Sequence, residues 1–201
     1  MMNRRQMLKT TAAGTAAMLL PSLSHAQAYP SVQEVLFDSE IPVLGNLVGD
    51  VTIAEYFDYQ CPYCKRGHRD LLDLVREDGK VRLVMKDWPI FGGASVYAAN
   101  LVLAAGEDYE TALNALMATP ARLSRDEVDE TLADAGLDAA VLYGRYEKDR
   151  PRVDGILARN TSQARAFGFS GTPVYIVGTK IYRGAIDRAA MIEAIAAARE
   201  S

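Results

Sequence analysis

The chain has 201 residues and two cysteines, which stand together as Cys61-Pro62-Tyr63-Cys64. The apolar, β-prone segment Val51–Phe57 runs up to them and a helix-period segment, 65–77, follows, so the pair sits where a strand turns into a helix. A cysteine at that turn meets the free N–H groups and positive dipole end of the helix, which favour an anion. Cys61 is therefore expected to be exposed and acidic, with its thiolate as the nucleophile. Pro62 suits the first helical turn, where its missing N–H has no partner to lose. Cys64 lies one turn deeper and shares a helical stripe with His68, Leu71, Leu72 and Val75, so it faces inward. An acidic outer sulfur beside a sheltered one is the asymmetry that disulfide exchange uses. A zinc site usually wants four ligands, and beyond residue 28 the chain offers two Cys and one His. A purely structural disulfide would gain little from closing so short a loop. No metal and no cofactor are expected.

Four further residues could bear on the pair. Alternation along Val51–Phe57 puts Glu55 on one face with Val51, Ile53 and Phe57, a carboxylate within an apolar row six residues before Cys61. At the strand's edge it would reach solvent. Buried, it would have a raised pKa and could shuttle the proton of Cys64. Asp58 ends the strand and reads equally as a loop residue. His68 reads as a packed helix histidine, two turns below Cys61 and too far to be its proton partner. Lys86 closes a second alternating strand, 81–85, and could approach Glu55 or simply be solvated.

The elements that must position these residues follow in order. Residues 1–28 read as an export signal: Arg4, Arg5 and Lys9 form a basic start, 10–23 is a modest apolar core, and Ala26-Gln27-Ala28 fits a small-x-small cleavage site. Residues 3–9 also resemble a twin-arginine signal, so the general secretory and twin-arginine routes both lead to an oxidising, periplasmic destination. Removing 1–28 leaves 19 basic and 26 acidic side chains, a net charge of −7. That balance argues against nucleic acid and anionic membrane as partners. No long uncharged apolar run follows, so the mature chain is not expected to be embedded in a membrane. Residues 35–37 read as a short strand. After 81–85 the chain is helical from 92 to 168, with Ser124-Arg125-Asp126-Glu127 as a capping box. Gly171-Thr172-Pro173 then leads into a hairpin turning at Gly178-Thr179, and Asp187 caps a last helix. The order strand, Cys-x-x-Cys helix, strand, helical block, Thr-Pro hairpin, helix is that of an α/β thioredoxin fold with an inserted all-helical subdomain. Residues 29–201 form one domain, with the insertion at about 92–168.

At this point the chain resembles the DsbA family of exported bacterial thiol:disulfide oxidoreductases. The likeness rests on Cys61-Pro62-Tyr63-Cys64, on Glu55, on Lys86 with Phe91-Gly92-Gly93, and on Gly171-Thr172-Pro173. It implies that Cys61 attacks and Cys64 resolves. It also implies that Pro173 is cis, with Thr172 and Pro173 facing the cysteines and offering backbone to an extended substrate. The implied partners are exported cysteine-containing proteins and a membrane redox partner that reoxidises or reduces the pair. Strongly oxidising members carry His where this chain has Tyr63 and Val where it has Thr172. Thr172 is the residue commoner among isomerase- and reductase-like relatives, so both directions of electron flow stay open. Two readings from other classes stand beside them: a Cu(I) carrier using both thiolates, and a thiol-independent chaperone on the same fold.

Overall fold

The computed structural model describes residues 29–120 and 122–200; the export segment 1–28 lies outside them. Among the described residues a five-stranded sheet has the order β1-β3-β2-β4-β5. Its strands are β1 (Val43–Gly45), β2 (Val51–Phe57), β3 (Val81–Asp87), β4 (Val174–Val177) and β5 (Lys180–Arg183). β2 and β3 are parallel and joined through helix α2 (Pro62–Asp78); the other pairings are antiparallel. All seven residues of β2 are buried, as expected of a central strand covered on both faces.

Register divides the sheet into two faces. Glu55 lies opposite Met85 of β3 and Tyr175 of β4, on the face covered by α2 and by α8 (Arg188–Arg199). Tyr56 and Lys86 are partners on the other face, against α1 (Val32–Leu36) and α7 (Arg150–Ala166). Between β3 and α7 come α3 (Gly93–Leu103), α4 (Tyr109–Met117), α5 (Arg125–Asp134) and α6 (Ala139–Lys148). These four pack on one another, with α4 also reaching α2 and α3 reaching α7.

α2 shows why the chain turns where it does. Cys61 is its N-cap, in extended conformation, and Pro62 opens its first turn. Gly79 ends it at φ 69°, left-handed backbone that suits glycine, and donates its N–H to the Val75 carbonyl. Its inner face buries Cys64, His68, Leu71, Leu72 and Val75, and also Leu74. Each fully buried Leu there contributes about 1.5–3 kcal/mol.

Two elements differ from the sequence reading. The strand expected at 35–37 is instead the end of α1, because Ser31 accepts the Glu34 N–H while the Glu34 carboxylate accepts the Ser31 N–H. That capping box holds one helical turn, leaving Phe37 as the C-cap. β1, an edge strand of three residues, carried too few residues to show a period.

Candidate active site

Cys61 stands at the N-terminus of α2 with its Sγ accepting the Cys64 N–H at 3.4 Å. The loop before β4 closes over it: Thr172–Pro173 is a cis peptide bond, and the Thr172 carbonyl lies 3.2 Å from the Cys61 Sγ. Cys61 is consequently 1% exposed, which corrects the expectation of an exposed sulfur. That cover comes from residues more than a hundred positions away, so nothing local in the sequence announces it.

The neighbours of Cys61 favour its thiolate despite this cover. Its thiol is lowered from 9 to about 6, first by the hydrogen bond with Cys64, against burial, with further help from the Thr172 side chain, whose hydroxyl oxygen has no other partner, and from the Cys64 and Tyr63 backbone. The Thr172 carbonyl can only accept from the protonated thiol, so that bond is given up on ionisation. Cys64 is fully buried, and its thiol is pushed far above the usual range by burial, by the bond to Cys61 and by the Glu55 charge. Both thiols are free in this structure. Thiolate absorbance of the reduced protein should therefore rise with a midpoint near 6 and show one sulfur only. Because this folded pKa is depressed, the stability it adds to the reduced form is present above pH 9 and is lost as pH falls through 6.

Glu55 is 0% exposed, so the solvent-reaching alternative is overturned. Neither carboxylate oxygen completes a hydrogen bond. Burial raises its pKa to about 8; the Tyr175 hydroxyl across the ladder pulls it down, without closing a bond of normal geometry, and the Cys61 charge pushes it up. Lys86 does not approach it. Register puts Lys86 on the opposite face, fully buried, where its Nζ donates to Gln163 Oε1 at 3.3 Å and its pKa falls to about 8 through burial. The solvated alternative for Lys86 fails with it. His68 is packed as expected, its Nε2 2.8 Å from Asn114 Oδ1.

Asp58 turns out to be the hub of the site's scaffold. Its Oδ1 accepts from the Gln60 N–H at 2.6 Å and the Ser95 hydroxyl at 2.7 Å. Its Oδ2 accepts from the N–H groups of Ile90 at 2.6 Å and Phe91 at 3.0 Å. Gln60 extends the link, donating to the Phe91 carbonyl and to Ser95 and accepting from the Leu123 N–H. The cysteine loop is thus pinned to the start of the helical insertion. Phe91, 52% exposed, and Tyr63, 54% exposed, leave apolar surface around it.

Sequence reasoning passed over four buried groups beside this centre: Asp87, Tyr59, Tyr109 and Tyr175. Asp87, at the end of β3, accepts from the hydroxyls of Tyr59 at 2.6 Å and Tyr109 at 3.2 Å. Burial raises its pKa to about 7, with those two hydroxyls opposing. Tyr175 is the fourth, paired with Glu55 in the ladder. The only sequence signal for Asp87 was its place in Lys86-Asp87-Trp88-Pro89, which reads as a strand running into a loop.

Comparison with known proteins agrees with this fold. A DSBA-like thioredoxin domain model matches residues 52–196. A model of the twin-arginine translocation pathway signal matches residues 1–21. A thioredoxin-like oxidoreductase from Silicibacter pomeroyi is 35% identical, with a TM-score of 0.81 over 86% of this chain and 99% of that one. The thiol-disulfide exchange protein alpha-DsbA2 from Wolbachia pipientis is 25% identical, with a TM-score of 0.76 over 82% and 90%. The catalytic domain of Proteus mirabilis ScsC shares the fold at 23% identity, with a TM-score of 0.73 over 84% and 94%. A curated relative, the Na(+)/H(+) antiporter NhaA 3 of Salinispora tropica, is 28% identical over 92% of this chain, which spans 30% of that protein's length.

Proposed function

The chain belongs to the DSBA-like thioredoxin domain family, and on that premise we propose that Cys61 and Cys64 exchange disulfides with exported proteins in the periplasm. The protein bears a twin-arginine signal, and among its described residues no helix is long and apolar enough to cross a membrane. We take residues 1–28 as the cleaved segment and 29–201 as the mature domain, with 92–168 inserted between β3 and β4.

The observation that carries the reading is the asymmetry of the two sulfurs: one lowered to about 6 at a helix N-terminus, the other buried and held protonated. In the oxidising direction a substrate thiolate attacks Cys61 of the disulfide. A substrate–Cys61 bond forms, and Cys64 leaves, taking a proton from Glu55. A second substrate thiolate then attacks the substrate's sulfur, the new substrate disulfide forms, and Cys61 leaves as its stabilised thiolate. Two electrons pass to the protein, and a membrane redox partner removes them. Run backwards, Cys64 attacks the mixed disulfide and returns its proton to Glu55. Thr172 and Pro173, which cover Cys61, are assigned to hold the substrate backbone during exchange.

Incubation of the oxidised protein with a reduced two-cysteine peptide tests the activity; loss of turnover with Cys61→Ser is expected, and unchanged turnover overturns the assignment. The redox state of the pair in the intact cell envelope then sets the direction. A mostly oxidised pair means an oxidase, and a mostly reduced one an isomerase or reductase.

A further inference from the structure

The two edges of α2 carry opposite charge. Toward α8, Asp70 and Glu77 take Arg188: its guanidinium pairs with Glu77 and donates to the Asp70 carbonyl. Toward α4 the helix turns Lys65, Arg66, Arg69 and Arg76, which line a groove of about 480 Å³ between the two helices. None of its lining residues is acidic, in a chain whose net charge is −4. Asp73 lies between Arg69 and Arg76, at 3.9 and 2.9 Å, but Arg69 is 91% exposed and such surface pairs contribute little. Glu110 on α4 is within electrostatic reach of His68.

The floor of the groove is apolar and includes Leu72 and Met117, with His68 beside them. His68 is 5% exposed; its Nε2 faces the Asn114 carboxamide oxygen and its Nδ1 has no partner. Burial lowers its pKa, so the ring is neutral near pH 7 and the free nitrogen is a hydrogen-bond acceptor. That nitrogen is itself buried, so a docked peptide does not reach it; what separates a peptide from a small inorganic anion here is reach, since a single small anion cannot span Arg69 to Arg76, about 10 Å apart along the helix. One end of the groove lies one residue along the helix from Cys64. Lys65 follows Cys64 and closes one end, its Nζ donating to the Leu116, Thr119 and Pro120 carbonyls and to the Thr119 hydroxyl. The Arg66 guanidinium sits 4.5 Å over the ring of Tyr63, between the two cysteines.

We propose that this groove docks an acidic peptide segment of the exported protein whose disulfide is exchanged at Cys61. The inference rests on the thiol–disulfide reading above and names a substrate preference for it. From Cys61 the helix rises about 12 Å to Arg69 and about 23 Å to Arg76, which an extended strand covers in about four and seven residues. Carboxylates about four to seven residues from the reacting cysteine therefore reach Arg69 and Arg76.

The test compares three peptides of one length, each with a central cysteine flanked on both sides by glutamates, glutamines or lysines. At low ionic strength the glutamate peptide should exchange with the oxidised protein on the order of 10-fold faster than the lysine peptide, and the difference should shrink in high salt. Arg69→Glu with Arg76→Glu, both on exposed side chains, should abolish this preference while the glutamine peptide keeps its wild-type rate. A cysteine-free glutamate peptide should compete with the reactive one, and pyrophosphate at equal ionic strength should not. Absence of a preference in wild type, its survival in the double variant, or equal competition by pyrophosphate would each overturn the proposal. Exchange of the glutamine peptide reports separately on the thiol chemistry, so the two readings fail by different results.

Discussion

Glu55→Gln should slow the attack of Cys64 on a mixed disulfide by about 10- to 100-fold near pH 7 and should make the protein more stable. The two effects have one source. Glu55 has no exposed surface and no completed hydrogen bond, and burial lifts its pKa from 4.5 to about 8. A carboxyl with that pKa is mostly protonated at pH 7 yet close enough to neutrality to gain and lose a proton on each cycle. Cys64 needs such a group because its own thiol is held far above the usual range, with the Glu55 charge among the causes. By microscopic reversibility, expulsion of Cys64 when an outside thiol attacks the disulfide should slow by the same factor. The step in which Cys61 leaves should not change, since that sulfur is stabilised by Cys64 and the helix end.

The stability half of the prediction has a sign that can be checked with pH. A folded pKa above the unfolded one means the folded chain holds the proton more tightly, so stability is fully present below pH 4.5 and is lost as pH rises through 8. At pH 7 that loss is about 3 kcal/mol. Glutamine removes the titration but buries an amide without partners, leaving a gain of about 1–2 kcal/mol. Urea melts should therefore cross between about pH 5 and 6: the variant is the more stable at pH 7 and the less stable, by about 1–2 kcal/mol, below pH 4. Stopped-flow release of glutathione from its mixed disulfide with Cys61 measures resolution. Wild-type release together with lost stability would make Glu55 a structural residue only.

What could be read from the sequence were features decided within a few residues. The strand, Pro62, the helical stripe through Cys64 and His68, and the capping box at Ser124 all rest on short-range rules, and the structure has each of them. What could not be read depends on register or on distant loops. Lys86 alternates as described, but only the pairing of Glu55 with Met85 shows that it faces away from Glu55. The burial of Cys61 belongs to the Thr172 loop. The helix at Val32–Leu36 begins at the Ser31–Glu34 capping box, a local cue passed over for the three apolar residues at 35–37. The partners of Asp58 at Ile90, Phe91 and Ser95 lie more than thirty positions away, so a carboxylate that organises the site read as an ordinary loop residue.

Removing that carboxylate should have the largest effect on stability. Asp58→Ala leaves two loop N–H groups, the Gln60 N–H and the Ser95 hydroxyl without their acceptor at a position with no exposed surface. The cost should be about 3–5 kcal/mol, at about 1–3 kcal/mol for each buried donor left unsatisfied. Asp58→Asn should do little better, although it is nearly isosteric. All four contacts are donors aimed at the carboxylate, so the amide nitrogen would face two of them with hydrogens of its own. The consequence for chemistry follows from what the network joins. The Cys61 N–H bonds to the Asp58 carbonyl, and the Asp58 side chain ties that turn to Ile90 and Phe91. Freed from the insertion, the turn would no longer hold the Cys61 sulfur against the Cys64 N–H and thiol, and its thiolate midpoint should move up from about 6 toward 9. Denaturant melts and thiolate titrations of both variants read the two effects separately. A melt within 1 kcal/mol of wild type for Asp58→Asn would show that the donors find other acceptors; an unmoved midpoint in a destabilised variant would show that helix α2 orders Cys61 without the loop.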